Sequence, residues 1–146
     1  MVFLLSSDDA HLQVSVTALC DFAARGGDLD LRFTPGPSAA EGMEGHRLVA
    51  ARRSPGFASE VPVHGQQGFV QVHGRADGFS LALQLVEEVK THKGPVERIP
   101  ENQQALHWAQ AMVYGHLLCQ QHGLVHMDVR LLYFDLLQQK ESRDTR

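Results

Sequence analysis

Three residues in the middle of the chain have the types and spacing for phosphodiester chemistry: Asp77 and, eleven positions later, Glu88 followed by Lys90. Side chains alternate between the two faces of a strand, so Glu88 and Lys90 should project from one side while Val89 points into the core. The segment Gly78 to Ala82 predicts a turn that brings Asp77 beside them. Two carboxylates are hard ligands for a divalent cation, and an amine offsets negative charge on a phosphoryl group. The pattern predicts a metal-dependent phosphodiesterase site.

Such a triplet is common in charged chains, and Glu and Lys also occur on solvent-facing strands, so neighbouring elements must supply further support. Ser38 and Glu41 have the capping-box spacing of a helix start, which gives Glu41 a structural role. The helix carries Gly42, Gly45 and His46, and His46 is a candidate third metal ligand. Two glycines are costly in a helix, so they predict a close approach by another backbone.

A long helix is predicted from Asn102 to His122, with Gly123 as its stop. Its apolar stripe consists of Leu106, Ala109, Val113 and Leu117. His107, Gln110 and Tyr114 share a flanking face, where an amide and a phenol can contact a DNA backbone or orient a metal site. The alternative is that Gln110 and Tyr114 simply edge the core.

The segments Gly42 to His46, Gly74 to Gly78, Glu88 to Lys90 and Gln110 to Tyr114 together resemble the RecB-like branch of the PD-(D/E)XK nucleases. The resemblance covers roughly residues 14 to 135, and its closing Gln-x-x-x-Tyr element is the most discriminating part. It implies a restriction-endonuclease-like core and a metal-dependent DNA nuclease. One departure is Ala76, which stands where the superfamily name expects proline.

The resemblance also implies roles for individual residues. His46, Asp77, Glu88 and the backbone carbonyl of Val89 would hold Mg²⁺ or Mn²⁺, and Lys90 would assist the attack on the phosphate. Gln110 and Tyr114 would position the lysine, the metal shell or the DNA strand. Independently of the resemblance, His73 and Arg75 share a strand face, which makes them candidates to line the DNA groove, although a strand surface explains both equally well.

The sequence around these motifs is also similar to the N-terminal nuclease module of bacterial DinG/Rad3-like helicases. The similar segments are Ala105 to Gln110 and Val129 to Asp135. The sequence has no Gly-x-x-x-x-Gly-Lys-[Ser/Thr] phosphate loop. We therefore expect a module excised from a helicase or a stand-alone relative, with a fused or separate helicase as partner. Cys20 and Cys119 are too few to hold an iron-sulfur cluster, and both are expected to be small buried hydrophobes.

Composition predicts one globular domain: the chain has 146 residues, of which 43% are hydrophobic and 21% charged. No apolar run is long enough to span a membrane, so we expect a cytoplasmic protein with no membrane partner. The formal net charge of -4 argues against a strongly basic DNA clamp and predicts weak DNA affinity of its own. A helicase partner would then supply the missing affinity.

The expected fold is α/β, a small mixed sheet flanked by helices in the order α-α-β-β-β-α-β. Helices are predicted near 15–25, 39–52 and 102–122, and strands at 58–63, 69–78, 83–91 and 125–136. The single domain spans 1–146, with its core at about 14–136 and a frayed polar tail at 137–146. Glu87, on the strand face opposite Glu88, is expected to be a structural or solvent-facing acid.

Two functions follow. The first is an active nuclease, which we expect to be an exonuclease on DNA ends or single strands in DNA repair or processing. The second is an inactive nuclease-fold module that binds DNA or a helicase. The presence of Asp77, Glu88 and Lys90 together favours the first. Cleavage polarity, strand preference and oligomeric state do not follow from the sequence.

Overall fold

The computed structural model describes residues 11–24, 26 and 36–146. The elements are β1 (Leu12–Ser15), α1 (Val16–Ala23), α2 (Ala39–Ala51), β2 (Ala58–Gln67), β3 (Val70–Ser80), β4 (Leu85–His92), α3 (Glu101–His122), β5 (Asp128–Asp135) and β6 (Lys140–Thr145). A short 3-10 turn, Val96–Arg98, precedes α3. None of the described helices combines the length and apolar character needed to cross a membrane.

The strands form one six-stranded mixed sheet in the order β1-β3-β4-β5-β6, with β2 paired to β3 along its other edge. Strands β2, β3 and β4 make an antiparallel meander. The helix α3 then crosses over, and β5 pairs in parallel with β4, as a helical crossover requires. A mixed α/β fold with helices flanking the sheet is therefore confirmed.

Helices cover both faces of the sheet, and the apolar core is divided accordingly. On one face, Val16 and Cys20 of α1 and Leu118 of α3 pack against Val86 of β4. On the other face, α2 buries Val49 against β4 and β5. Because β4 is covered on both sides, its run Leu85 to Val89 is fully buried. Any charged side chain in that run needs a partner inside the protein.

The expectation of a frayed tail at 137–146 was wrong. Residues Lys140–Thr145 form strand β6, which pairs antiparallel with β5 from Arg130 to Asp135. The sequence Lys-Glu-Ser-Arg-Asp-Thr is polar throughout, so nothing in it resembles a buried strand, and its pairing is decided by tertiary contacts. Strand β1, which pairs in parallel with the start of β3, was also missed.

The turn between β3 and β4 lies later than predicted. Strand β3 continues through Gly78 to Ser80, and the chain reverses at 81–84, where the Gln84 amide donates to the Leu81 carbonyl. Gln84 has a φ of 48°, a conformation that non-glycine residues rarely adopt. Gly78 lies inside the strand and not in a turn, and a Cβ there would make an ordinary van der Waals contact, 3.5 Å from the Glu87 Cβ.

Candidate active site

The candidate site lies where β3 and β4 separate. The two strands pair only at Gly78–Glu87, Phe79–Val86 and Ser80–Leu85, at the turn end of the hairpin. Beyond these pairs the Asp77 carboxylate enters the gap, and its Oδ2 accepts a 2.8 Å hydrogen bond from the Val89 amide. The Asp77 side chain thus takes the place of the next backbone–backbone hydrogen bond between the two strands. This bond fixes Asp77 beside the backbone of β4.

Helix α2 brings His46 to the same gap, with its Nδ1 3.3 Å from the Asp77 Oδ1. The predicted capping box is present, since Ser38 and Glu41 exchange side-chain and backbone hydrogen bonds at the helix start. The predicted close approach at Gly45 is also present, but to side chains: a Cβ there would clash with Thr91 Cγ2. The hydrogen bond with Asp77 raises the pKa of His46, against the opposing effect of burial.

Strand β4 supplies Glu88 and Lys90 from one face, as predicted, while Val89 packs into the core beneath α2. The Lys90 Nζ lies 2.9 Å from the Glu88 Oε1. Glu88 is only 5% exposed. Burial raises the pKa of Glu88 to about 7, although the charge of Lys90 opposes that rise. A buried acid whose pKa is raised in this way, beside charged neighbours, is typical of sites that change protonation state.

This raised pKa leads to a prediction about stability in the absence of metal. Because the folded-state pKa of Glu88 lies above its ordinary value of 4.5, ionisation costs folding free energy as the pH rises from about 4.5 to about 7. Glu88→Gln should raise the free energy of unfolding by about 1–3 kcal/mol near pH 8 and leave it unchanged near pH 4. Urea denaturation in EDTA at both pH values measures this, with exposed Glu97→Gln as the control. A destabilised Glu88→Gln near pH 8 would contradict it.

Gln110 and Tyr114 lie on the buried centre of α3, not on its flank. The residues buried along this helix are Gln110, Ala111, Tyr114, Gly115, Leu117 and Leu118. The predicted stripe is only partly right, since Leu117 is buried whereas Leu106, Ala109 and Val113 pack at the periphery. Two polar residues on the buried face weaken the apolar periodicity, which explains the misplaced stripe.

Of the two polar residues of α3, Tyr114 bears on the gap, and Gln110 is buried about one turn before it. The Gln110 Oε1 is buried without a hydrogen-bond partner among the described residues. The Tyr114 ring packs against β3, where a Cβ on Gly74 would lie 3.1 Å from its hydroxyl. Burial raises the pKa of Tyr114, and the negative charges of Glu88 and Asp77 raise it further. Tyr114 is thus within electrostatic reach of both carboxylates.

Arg75 is not brought into this cluster. Its side chain is 72% exposed and lies 3.9 Å from the carboxylate of Glu60 on β2. His73 is likewise on the exposed part of β3. Neither contacts Asp77, Glu88 or Lys90 through any hydrogen bond or ion pair of the described residues.

Sequence reasoning missed a second charged cluster on the opposite face of β4. Glu87 is 1% exposed, so the solvent-facing alternative was wrong and the structural one is confirmed. Its Oε1 accepts from the Arg53 Nε at 2.8 Å, and its Oε2 accepts from Arg130 at 3.0 Å. Arg53 also binds Glu141 of β6 at 2.6 Å. The sequence does contain a sign of this cluster, because two adjacent acids in an apolar strand place one charge on each face of the sheet. Each of these buried charges requires a cation as partner.

The donors at the gap suit a hard divalent cation by their chemistry. Asp77, Glu88 and the Val89 carbonyl offer oxygen, and His46 offers an imidazole nitrogen. Within residues 11–24, 26 and 36–146, no three acidic, histidine or cysteine side chains are already gathered in a metal-binding geometry. The buried, unpartnered oxygen of Gln110 is a further acceptor on the α3 side. The residues fit Mg²⁺ or Mn²⁺ in type.

No protein-family model and no curated protein sequence matches the chain. A similar fold occurs in the crystal structure of SSO0001, with a TM-score of 0.61 and 18% sequence identity. The similarity covers 96% of this chain and 69% of that chain. At this identity the comparison bears on the fold alone.

Proposed function

We propose that the chain is a divalent-cation-dependent DNA nuclease with a restriction-endonuclease-like core. The observation that carries the proposal is the convergence of four ionisable residues at one break in the sheet. His46 comes from α2, Asp77 from β3, and Glu88 and Lys90 from β4. A half-buried group of paired ionisable side chains lowers the stability of a fold. Such groups are found where they perform chemistry.

The supporting architecture is the path from α2 through the β2–β3–β4 meander and α3 to the parallel strand β5. This is the order expected for the nuclease core. It places the Asp and the Glu-x-Lys segment on adjacent strands, and it places α3 across the same face. Strand β6 extends the sheet beyond β5, and β1 pairs with the start of β3 on the edge that β4 uses further along.

Each residue has a defined task in the proposed reaction. Asp77, Glu88, His46 and the Val89 carbonyl would hold Mg²⁺ or Mn²⁺, which supplies Lewis-acid polarisation of the phosphate when bound. The Val89 amide fixes the Asp77 carboxylate, so its other oxygen, which faces His46, keeps a constant direction. The Lys90 ammonium places positive charge where the phosphoryl oxygens gain negative charge. Gln110 offers its unpartnered oxygen to the group of ligands or to the lysine.

The proposed substrate is DNA, cut as an exonuclease acting on ends or single strands in repair or processing. With a formal net charge of -4, the chain has little general attraction for a polyanion. A fused or separate DinG/Rad3-like helicase would raise the local DNA concentration and compensate for this weakness. Both cysteines are free thiols, which suits a cytoplasmic location.

The direct test incubates the purified chain with end-labelled single- and double-stranded DNA in Mg²⁺, Mn²⁺ or EDTA. We expect cutting with either cation and none in EDTA. Lys90→Met should lower the cleavage rate about 100-fold while cation binding, measured by calorimetry, persists. The matched control is Lys93→Met, because Lys93 lies just beyond β4 and pairs instead with Glu41.

The results separate the two candidate functions. If the wild type binds DNA but never cuts it, the alternative of a catalytically inactive binding or helicase-interaction module is correct. If Lys90→Met cuts as fast as Lys93→Met, the role given to Lys90 is wrong. Cutting that resists EDTA would exclude the cation dependence altogether.

A further inference from the structure

A pocket of about 650 Å³ opens directly beside the candidate active site, between α2 and the β2–β3 hairpin. His46 and Asp77 form the edge that it shares with the gap between the strands. Its floor is apolar and includes the buried Val49 and Val89. The size lies within the range of small-molecule sites in proteins. None of the tasks assigned to the catalytic residues uses this space.

The walls of the pocket present flat and flexible apolar groups. Phe57 lies over β3, with its Cδ1 3.7 Å from the position of a Cβ on Gly78, the residue after Asp77. Met43 of α2 also lines the pocket and is 75% exposed. An aromatic ring and a thioether in the lining of one pocket suit a planar, uncharged ligand.

The rim of the pocket disfavours phosphate. Glu44 and Glu60 line it, and acids already hold both guanidinium groups of the lining: Glu44 holds Arg47 at 2.6 Å and Glu87 holds Arg53 at 2.8 Å. Acidic side chains repel a phosphodiester, whereas a nucleobase carries no net charge. The phosphate would therefore lie at the Asp77–Lys90 side, and the attached base would face the apolar walls.

Backbone strain occurs at the same place. Ser59 pairs with Gly78 and Val61 with Ala76, so Glu60 lies opposite Asp77 in the β2–β3 ladder. Glu60 has a φ of 50°, a left-handed conformation that costs a residue with a Cβ about 1 kcal/mol or more. The strained residue forms part of the pocket wall beside Asp77. Strain of this kind persists where the surrounding structure fixes a functional geometry.

We propose that this pocket binds one unpaired nucleobase of the DNA strand whose phosphate is cut, stacked between Phe57 and Met43. The inference rests on the proposed nuclease function and names its substrate class. A base inside a duplex is stacked on both sides and cannot enter without leaving the helix. The chain therefore selects single strands and frayed ends over intact duplex.

The test measures binding in Ca²⁺ by fluorescence anisotropy, with a labelled oligothymidine, an abasic strand with the same number of phosphates, and a hairpin duplex. Phe57→Ala should weaken oligothymidine binding about tenfold, since base stacking on an aromatic side chain contributes that much. Binding of the abasic strand should change less than about twofold. Phe22→Ala, at a 91% exposed phenylalanine on α1, is the matched control and should change neither.

Met43→Ala provides a second variant, which lies at a position that is 75% exposed and adds no charge to the pocket. It should also weaken oligothymidine binding and spare the abasic strand. If Phe57→Ala and Met43→Ala bind both strands as the wild type does while cleavage persists, the base pocket is refuted and the nuclease stands. If the wild type binds neither strand and cuts neither substrate, both proposals fail together.

Discussion

Asp77→Asn is expected to abolish DNA cleavage, with a rate loss of more than about 1,000-fold. A Lewis acid contributes several kcal/mol of transition-state stabilisation, and its loss corresponds to a change of that size. The change removes one negative charge from the proposed ligand set and preserves the shape of the side chain. The asparagine oxygen can still accept the hydrogen bond that the Val89 amide donates to Asp77.

Stability should hardly change in Asp77→Asn, which distinguishes a catalytic residue from a structural one. In the absence of metal, the charge of Asp77 contributes to the raised pKa of Glu88, so its removal relieves repulsion. We expect an unchanged or slightly higher melting temperature in EDTA. Asp144→Asn on the exposed edge of β6 is the matched control for charge. An active Asp77→Asn enzyme, or one whose melting temperature falls markedly, would contradict the site.

Glu87→Ala is expected to produce the largest loss of stability, about 3 kcal/mol. Removal of one partner from a buried ion pair leaves the other charge uncompensated, and such changes cost about 3–5 kcal/mol. The low end applies because Arg53 keeps its bond to Glu141 and the Arg130 side chain is 20% exposed. Loss of the carboxylate also opens a cavity next to Gly78.

Urea denaturation measures this effect, and Glu44→Ala provides the contrast. Glu44 also pairs with an arginine, Arg47, but both side chains are more than half exposed, so its removal should cause no measurable change. Equal stability of Glu87→Ala and Glu44→Ala would show that the buried cluster adds nothing. A Glu87→Gln protein should retain part of the hydrogen bonding and lie between Glu87→Ala and the wild type.

Much of the fold could be predicted because the chain uses strong local signals. The Ser38–Glu41 capping box and Gly123 placed the starts and ends of helices within a residue or two. The alternation of Glu88, Val89 and Lys90 gave the correct faces of β4. These signals depend on neighbours in sequence, and tertiary contacts agree with them.

The parts that were missed depend on distant contacts. Strand β6 has no apolar residue, and it joins the sheet through backbone pairing with β5 and through Glu141, which binds Arg52 and Arg53 of the α2 end. The buried face of α3 carries Gln110 and Tyr114. Because both residues are polar, a search for apolar residues at helical spacing does not detect this face. The pocket beside the candidate site is formed by α2, the segment that leads into β2, and strands β2, β3 and β4, which meet only in the folded chain.

The adjacent acids of β4 also set a condition on folding itself. A slip of one residue in the register between β4 and β5 would reverse the faces of Glu87 and Glu88. Glu87 would then leave its two arginines and face α3, whereas Glu88 and Lys90, two residues apart on one strand, would move to the α2 face together. Each misregistered state would bury the Glu87 charge without a partner. The pairing of Glu87 with Arg130, directly across the ladder, therefore favours the one alignment that places Glu88 and Lys90 at the candidate site.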